Sequence, residues 1–144
     1  MKILVINGPN INMLGKREPD IYGKKDYRAL CEGLKKQAQA LEVDIEICQS
    51  NIEGEIVDRI QAAADDCDGI VINPGAYTHY SIAILDALKA AGLPAVEVHL
   101  SNIADREQFR RESVTAGGCI GQISGLGFDS YFLAVEAIIR RLNK

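Results

Sequence analysis

The sequence predicts an α/β fold: a flavodoxin-like, doubly wound, five-stranded parallel sheet in the order 2-1-3-4-5, with helices on both faces. Two observations lead to this prediction. Short apolar runs alternate with amphipathic segments along the whole chain, which is typical of right-handed βαβ units. Five such units fit into the 144 residues, so we expect a single domain spanning residues 1–144. In this architecture, ligands bind beyond the carboxyl ends of the strands.

The five predicted strands are short, apolar and bounded by turn residues. The first is rich in β-branched residues and stops at Asn7-Gly8-Pro9, which indicates a buried strand. The second alternates apolar and polar residues, and the third is stopped by Asn73-Pro74-Gly75. The strands are predicted at residues 3–6, 43–48, 70–72, 95–98 and 119–123.

The segments between and after these strands have helical periodicity. Apolar residues recur at helical spacing over residues 27–41, 56–67, 82–88 and 131–142. Ser81 is a candidate N-cap for the third of these helices, and Gly92 with Pro94 marks its predicted end. A charged segment, 105–112, lies between the fourth and fifth strands. The alternation of strand and helix therefore continues to the end of the chain.

The loop between the first strand and the first helix, residues 8–23, is long for a compact domain. Such a loop is uncommon unless it binds or covers something, and we predict a lid at about residues 11–23. The loop carries Arg17 and Tyr22. Tyrosine is a useful base only when a neighbouring cation lowers its pKa from about 10, and Arg17 is a candidate for that cation. The alternative is that both are ordinary surface residues.

Composition excludes some classes of function. The formal net charge of −4 argues against nucleic acid as the main partner, because phosphate binding needs a basic face. The local run of Arg106, Arg110 and Arg111 still allows an anionic small molecule. The four cysteines form no C-x-x-C pair and imply no disulfide framework. The sequence also lacks a signal-peptide pattern and a membrane-spanning run, so we expect a cytoplasmic protein without a membrane partner.

Two familiar uses of this fold do not match the predicted strand ends. A phospho-receiver needs carboxylates after the first and third strands to hold Mg²⁺, whereas this chain has Asn7 and Asn73 there. Gly15-Lys16 resembles the end of a phosphate-binding P-loop, but Arg17 stands where Ser or Thr is required. The strand ends therefore need another explanation.

Both histidines of the chain belong to predicted strand ends. His79 follows the third strand and His99 ends the fourth, so both can face one crevice. Neither belongs to a spacing typical of a metal site, and a structural role is the alternative for each. Glu97 lies two residues before His99 on the same face of the strand, where its carboxylate can orient the imidazole. A carboxylate in a buried strand also needs such a partner.

Several other polar residues have both an ordinary and a functional explanation. Asn73 begins a turn, where asparagine is common for backbone reasons, but its amide can also donate to a substrate carboxylate or hydroxyl. Arg106 and Arg110 lie four residues apart, so a solvated helix face paired with Glu107 is the alternative to a binding role. Asp86 is predicted on the third helix, where exposure to solvent is the default.

Taken together, these residues closely resemble those of the type II 3-dehydroquinate dehydratases. The resemblance runs essentially end to end, in order and at the family's length, without a departure at positions that the family uses for chemistry. Several ordered motifs carry more weight than one short pattern. The matching segments are Asn7-Gly8-Pro9-Asn10, Leu14-Gly15-Lys16-Arg17-Glu18-Pro19, Tyr22-Gly23, Gln49-Ser50-Asn51, Asn73-Pro74-Gly75-Ala76-Tyr77-Thr78-His79, Glu97-Val98-His99-Leu100-Ser101-Asn102 and Arg106-Glu107-Gln108-Phe109-Arg110.

The resemblance implies a hydro-lyase that converts 3-dehydroquinate to 3-dehydroshikimate in the shikimate pathway, without metal or cofactor. It implies that Tyr22, as tyrosinate, removes the C2 proton beside the ketone while Arg17 keeps it ionised. An enolate forms, and Asn10 helps to position an ordered water that hydrogen-bonds to it. His99, held by Glu97, then protonates the departing C1 hydroxyl, which completes an anti elimination.

The resemblance also implies which residues bind the substrate carboxylate. Asn73 and the backbone amides of Leu100 and Ser101 have this role in the family's pattern. Gly75 and Ala76 belong to the same binding motif as Asn73.

The remaining implied contacts concern the ring hydroxyls and the assembly. His79, Arg110 and Asp86 are expected to bind the hydroxyls, with Asp86 reaching in from a neighbouring subunit. Arg106 matches the family's second lid arginine. The family assembles as trimers grouped into a dodecamer, so a homododecamer is the implied state.

Two alternatives stay open at this point. One is a non-catalytic module of the same fold that binds a small anion through Arg106 and Arg110. The other is an enzyme of the same fold that acts on a related hydroxy acid.

A second known enzyme class forms the same product, 3-dehydroshikimate, through a Schiff-base lysine in a (β/α)₈ barrel, a fold that needs about 250 residues. This chain is too short for that route.

Overall fold

A computed structural model of the chain describes residues 1–16 and 25–144. In these residues five parallel strands form one sheet in the order β2-β1-β3-β4-β5, which confirms the predicted fold class and strand order. All five carboxyl ends therefore lie along one edge of the sheet. The strands are β1 (Lys2–Asn7), β2 (Asp44–Gln49), β3 (Gly69–Asn73), β4 (Ala95–His99) and β5 (Gly121–Ser124).

Helices cover both faces of the sheet. They are α1 (Tyr27–Leu41), α2 (Glu53–Asp66), α3 (Ile82–Ala91), the short α4 (Gln108–Arg111) and α5 (Phe128–Leu142). In β1, Leu4 and Ile6 pack with α2 and α3, whereas Ile3 and Val5 pack with α1 and α5. Because successive strand residues point to opposite faces, a strand covered on both sides is apolar at every position. This explains the uninterrupted apolar run of β1.

The helix ends follow local sequence signals. Asp26 begins α1 by accepting a hydrogen bond from the backbone N–H of Ala29 (2.8 Å). Ser81 caps α3 in the same way, accepting from the backbone N–H of Ile84 (3.1 Å). Gly92 ends α3 with a φ of 69°, a left-handed conformation that glycine adopts without strain. The predicted cap and end of this helix are thus confirmed.

The fifth strand begins later than predicted, so the prediction of 119–123 is wrong at its start. Residues Thr115–Gly118 form a turn of 3-10 helix, and Cys119 closes it by donating its N–H to the Ala116 carbonyl (3.0 Å). Cys119 packs against the core under α2 and α3 from this turn. Apolar character alone does not distinguish a strand from a tight turn packed on the core. The other strand boundaries lie within one residue of the prediction.

Only the beginning of the predicted lid lies in the described residues. Ile11–Met13 forms one turn of 3-10 helix where the sequence predicted no regular structure. Arg17 and Tyr22 lie outside the described residues, so the lid and their places in it stay predictions. Among the residues described, none of the helices combines the length and apolarity needed to cross a membrane.

Candidate active site

A cavity of about 480 Å³ opens at the carboxyl edge of the sheet, a size suited to a small molecule. It lies beyond the ends of β1, β3 and β4, and the start of α5 forms one side. Most of the residues predicted to form the site line this cavity: Asn10, Asn73, Gly75, Ala76, His79, His99, Leu100, Ser101, Arg106 and Arg110. The fold therefore brings residues from distant parts of the chain to one place.

Two glycines allow the loops after β1 and β3 to meet beneath the cavity. The backbone N–H of Gly8 donates to the Asn73 carbonyl (2.8 Å), and a Cβ at Gly8 would lie 2.5 Å from the Pro74 carbonyl oxygen. Gly75 has a φ of 61°, and a Cβ there would lie 3.0 Å from the Pro9 carbonyl oxygen. Larger side chains at these positions would push the two loops apart. The two glycines thus allow the close contact between these loops that shapes the floor of the cavity.

The histidine at the end of β4 is paired with a buried carboxylate. His99 Nε2 lies 2.7 Å from Glu97 Oε1, and the exposed fractions are 6% for His99 and 0% for Glu97. Glu97 lies beneath the cavity and His99 lines it. Because residues two apart share a face of the strand, the local geometry alone brings these groups together.

Three further side chains hydrogen-bond to the Glu97 carboxylate. Ser113 Oγ donates to Oε1 (2.7 Å), as does Gln122 Nε2 (2.9 Å), and the Thr115 hydroxyl donates to Oε2. Burial by itself would raise the pKa of Glu97, but the hydrogen bonds from His99, Thr115 and Ser113 outweigh it and hold the pKa below its usual value. Glu97 is therefore ionised in the folded protein at neutral pH.

The Glu97 contacts determine which nitrogen of His99 faces a ligand. An ionised carboxylate only accepts hydrogen bonds, so Nε2 carries a proton and donates it to Glu97. Nδ1 is then the nitrogen left for the cavity that His99 lines. A ring protonated on both nitrogens is a cation, and the carboxylate 2.7 Å away stabilises that charge. The pair can thus deliver a proton from Nδ1.

The lowered pKa of Glu97 predicts how acid affects stability. A carboxyl group whose pKa is depressed on folding stabilises the protein above its unfolded pKa, about 4.3, and this contribution disappears as the pH falls through the folded value. Below about pH 4.3, the free energy of unfolding of wild type should therefore fall more steeply with pH than that of Glu97→Gln. Urea unfolding at a series of pH values measures both slopes.

A matched control for this experiment is Glu136→Gln, which removes an exposed glutamate of α5. Its slope should follow that of wild type. Other carboxyl groups contribute to both proteins equally: Arg59 and Lys2 lower the pKa of Glu46, and Lys2 lowers that of Asp66. Equal slopes in wild type and Glu97→Gln would contradict the assignment of an ionised, stabilising Glu97.

The second histidine is fixed by a backbone carbonyl. His79 Nδ1 lies 2.7 Å from the backbone carbonyl oxygen of Glu112. A carbonyl only accepts, so Nδ1 donates and Nε2 is the nitrogen available to a ligand. The backbone N–H of Val114 also donates to the Thr78 carbonyl (2.8 Å), which ties the segment after α4 to the turn that carries His79.

The described lining residues carry positive charge and no carboxylate. The cations are Lys25, Arg106 and Arg110. Arg110 Nε pairs with Glu107 Oε2 (2.9 Å), so the predicted alternative of a solvated pair is present, but Arg110 also lines the cavity. An exposed pair of this kind contributes about 0–1 kcal/mol, so the guanidinium can exchange Glu107 for a ligand. The charge of the cavity favours an anion.

Backbone donors add to this preference. The N–H groups of Leu100 and Ser101 have no hydrogen-bond partner among the described residues, and both residues line the cavity. Unpaired N–H groups at a strand end are suited to an oxyanion or a carboxylate. Asn10 contributes from the loop after β1, where its φ is 68° and its N–H donates to Asn51 Oδ1 (3.1 Å). Asparagine tolerates this left-handed conformation better than most residues.

Not every predicted site residue reaches the cavity. Asp86 is exposed on α3 and does not line the cavity of its own chain, which leaves its predicted role from a neighbouring subunit untested. Arg17 and Tyr22 lie outside the described residues. Within the parts of the chain that the structure describes, no group of three or more metal-ligating side chains comes together.

Sequence reasoning missed several residues that line the cavity. Lys25 is one, with its Nζ 5.9 Å from the centre of the Phe128 ring, a cation–π contact at the side of the cavity. Ile11, Leu14, Ile103 and Phe128 supply apolar walls. In the sequence, only their position after a predicted strand indicated that these residues could line the cavity, because an apolar side chain gives no indication of a binding or catalytic role. Ser113 and Thr115 had no signal, whereas Gln122 lies directly opposite Glu97 in the β4–β5 register.

The fold and the site together define a class of protein: an α/β protein with a positively charged cavity at the carboxyl edge of its sheet and a buried carboxylate–imidazole pair beside that cavity. The known proteins that this chain resembles narrow the class. A family model described as dehydroquinase class II matches residues 1–139. The chain belongs to this family.

Relatives and solved structures agree with the family model. A protein of Clostridium acetobutylicum named 3-dehydroquinate dehydratase is 58% identical over 144 residues, covering 100% of both chains. One of Caldicellulosiruptor saccharolyticus with the same name is 58% identical over 138 residues, covering 95% of each. The crystal structure of type II dehydroquinase from Butyrivibrio crossotus has a TM-score of 0.93 at 50% identity, covering 96% of this chain and 97% of that chain.

Proposed function

We propose that this chain eliminates water from 3-dehydroquinate to give 3-dehydroshikimate, with Tyr22 as base and His99 as acid and without metal or cofactor. The observation that carries the proposal is the buried Glu97–His99 pair, whose free Nδ1 faces an anion-binding cavity. The activity is also the one printed in the names of relatives that match the full chain. Such an enzyme is a hydro-lyase of the type II class.

The reaction needs a base and an acid on opposite sides of the ring. Tyr22, held as tyrosinate by Arg17, takes the C2 proton beside the ketone, and the C–H electron pair forms the enolate. When the enolate collapses, its electrons form the C1–C2 double bond and the C1–O bond breaks. His99 Nδ1 gives its proton to the leaving oxygen, so water departs in an anti elimination. Tyr22 then loses the C2 proton to solvent and His99 takes up a proton from solvent, which restores both groups for the next turnover.

His99 fits the acid role for an electrostatic reason. Its proton donation leaves a neutral ring that keeps the Nε2–H bond to Glu97, so the imidazole does not have to reorient during turnover. Glu97 stays ionised because four donors surround it, counting His99. Asn10, exposed at the mouth of the cavity, is suited to hold the water that hydrogen-bonds to the enolate oxygen.

Donors of the cavity match the oxygens of the substrate. Asn73 and the unpaired N–H groups of Leu100 and Ser101 bind the carboxylate in this proposal. Gly75 and Ala76 line the wall beside Asn73, and their small size lets the ring approach the backbone.

The ring hydroxyls face the other side of the cavity. His79 accepts through Nε2, Arg110 donates, and Arg106, the residue that matches the family's second lid arginine, places a further cation beside the ring. Asp86 contributes from a neighbouring subunit of a dodecamer built as a tetramer of trimers. Sedimentation that shows only monomer at assay concentrations would exclude this role of Asp86.

The decisive assay uses wild-type protein and 3-dehydroquinate. The product is a conjugated enone, so its ultraviolet absorbance should rise with time in proportion to enzyme concentration. Addition of EDTA should leave the rate unchanged, because side chains supply both the base and the acid. Binding without any absorbance rise at high enzyme concentration would refute the proposal and favour the non-catalytic anion-binding module. Turnover of a related hydroxy acid but not of 3-dehydroquinate would favour the other alternative.

The positive cavity predicts a dependence on salt. 3-Dehydroquinate carries one carboxylate, and Lys25, Arg106 and Arg110 attract it. Raising the ionic strength from about 0.02 M to 0.5 M should lower kcat/KM by about tenfold, mainly through KM, because salt screens these charges. Steady-state kinetics at fixed pH measure the effect.

Two lysine variants separate the cavity charge from general effects of salt. Lys25→Ala should have a smaller dependence of kcat/KM on ionic strength than wild type. Lys89→Ala removes an exposed lysine of α3 and should behave as wild type. An equal salt dependence in all three proteins would contradict a role for the charge at Lys25.

A further inference from the structure

Tyr131 is the bulkiest fully buried side chain of the described residues, and its hydroxyl belongs to a polar chain beneath the cavity. The hydroxyl donates to Asn7 Oδ1 (2.6 Å) and accepts from Asn73 Nδ2 (2.8 Å). All three side chains are buried, Asn73 being the most exposed at 3%. Tyr131 lies on α5, so the last helix of the chain contacts the ends of two central strands through one oxygen.

The register of the sheet explains how one hydroxyl reaches both amides. Asn7 and Asn73 are direct partners at the carboxyl ends of β1 and β3. Neighbouring strands lie about 4.8 Å apart, so two hydrogen bonds from a single oxygen can bridge them. A wholly apolar residue at position 131 would fill the same space but leave two buried amides without this partner.

The orientation of the Asn73 amide follows from its other contact. The backbone N–H of Gly75 donates to Asn73 Oδ1 (3.1 Å). Because a backbone N–H can only donate, this contact identifies the oxygen end of the amide, and Nδ2 is the end that faces Tyr131. Nδ2 carries two hydrogens. Tyr131 accepts one, and the second is left for the cavity that Asn73 lines.

Loss of the Tyr131 hydroxyl would release this arrangement. Asn73 would keep only the Gly75 contact, and rotation about its terminal torsion is soft. Asn7 would lose the donor to its Oδ1. The remaining N–H of Asn73 would then no longer be held toward the cavity.

We propose that Tyr131 is a positioning residue: its hydroxyl holds the Asn73 amide so that an N–H donor faces the bound substrate. The inference rests on the proposed function, in which Asn73 binds the substrate carboxylate. A carboxylate accepts hydrogen bonds and never donates them, so an amide turned the other way would repel it. Tyr131 thus acts on substrate binding without touching the substrate.

The variant that tests this is Tyr131→Phe, which preserves the ring and the core packing. Its kcat/KM for 3-dehydroquinate should fall about tenfold, the effect of one poorly held hydrogen bond, and the fall should be mainly in KM. A matched control is Ile138→Val, which removes core volume from the same face of α5 two turns further from the cavity. This control should lose stability while keeping the wild-type KM.

A double-mutant cycle with Asn73→Ala distinguishes positioning from a general structural role. If Tyr131 acts through Asn73, Tyr131→Phe should cost little further kcat/KM in the Asn73→Ala background. An unchanged KM in Tyr131→Phe, or the same tenfold loss in both backgrounds, would overturn the proposal.

A second variant keeps the test valid where Tyr131→Phe does not fold. Asn7→Ala removes the acceptor of the Tyr131 hydroxyl, frees that hydroxyl to turn, and leaves the residues that line the cavity in place. Its KM should rise in the same direction, and a wild-type KM would overturn the proposal. Wild-type protein is assayed in parallel, because a wild type without turnover would be a failure of the proposed function instead.

Discussion

Tyr22→Phe is expected to lower kcat by about 10³-fold while substrate binding stays within about twofold of wild type. Phenylalanine keeps the ring and removes the one group proposed to take the C2 proton. Because the loss concerns a step after binding, kcat and kcat/KM should fall together. The enone assay gives the rate, and isothermal titration with 3-dehydroquinate gives the affinity of the inactive variant.

Two further variants show whether the effect belongs to the base. Tyr80→Phe makes the same change at a tyrosine that is 61% exposed, and should keep wild-type turnover. Arg17→Gln should shift the pH dependence: without the cation, tyrosinate forms only toward pH 10, so turnover falls at neutral pH and recovers on the alkaline side. Near-normal turnover of Tyr22→Phe would refute the assignment of the base.

His99→Ala is expected to lower kcat by about 10²-fold or more, with KM changed much less. The variant removes the proton donor to the leaving hydroxyl but leaves Asn73 and the backbone donors in place. It also leaves the Glu97 carboxylate buried without its imidazole partner, so folding should be checked by circular dichroism. Added imidazole should restore part of the rate, since the deleted ring leaves room for it.

The second histidine provides the matched control. His79→Ala removes a group proposed to bind a ring hydroxyl, so KM should rise while kcat changes little. Glu97→Gln completes the series: its neutral amide no longer stabilises the charge of a ring protonated on both nitrogens, so kcat should fall while KM changes little. A change in His99→Ala confined to KM would mean that His99 binds substrate and is not the acid.

The sequence predicted the layered fold well because the signal is local and repeated. The parallel arrangement follows from alternating periodicity and the handedness of crossovers, and the strand order from the fit of five such units to a flavodoxin-like sheet. Each strand end except the start of β5 lay within one residue of the prediction. At Cys119 the prediction was wrong because a 3-10 turn that packs against the core contributes the same kind of apolar residue as a buried strand. There the apolar sequence pattern reports burial of the residue in the core and does not report its secondary structure.

The candidate site was predictable where residues of suitable chemistry are also close together in the sequence. Glu97 and His99 are two apart on one strand, so their contact required no knowledge of the rest of the fold. For Asn73, the turn role and the donor role were alternatives in the sequence, and the structure contains the first: Oδ1 accepts from Gly75. The same contact leaves Nδ2 for Tyr131 and the cavity, so the two roles are compatible.

By itself, the sequence determined the fold class, the edge of the sheet where the cavity opens and the residue types found there, because periodicity, turns and strand ends are local properties. Only the tertiary structure decided that Ser113, Thr115 and Gln122 hydrogen-bond to Glu97, and that Tyr131 accepts a hydrogen bond from Asn73. Tyr131 lies 58 residues from Asn73 and 124 from Asn7 in the chain. No spacing rule links such positions. They meet because the core is packed from both faces of the sheet, and burial requires each polar atom there to find a partner.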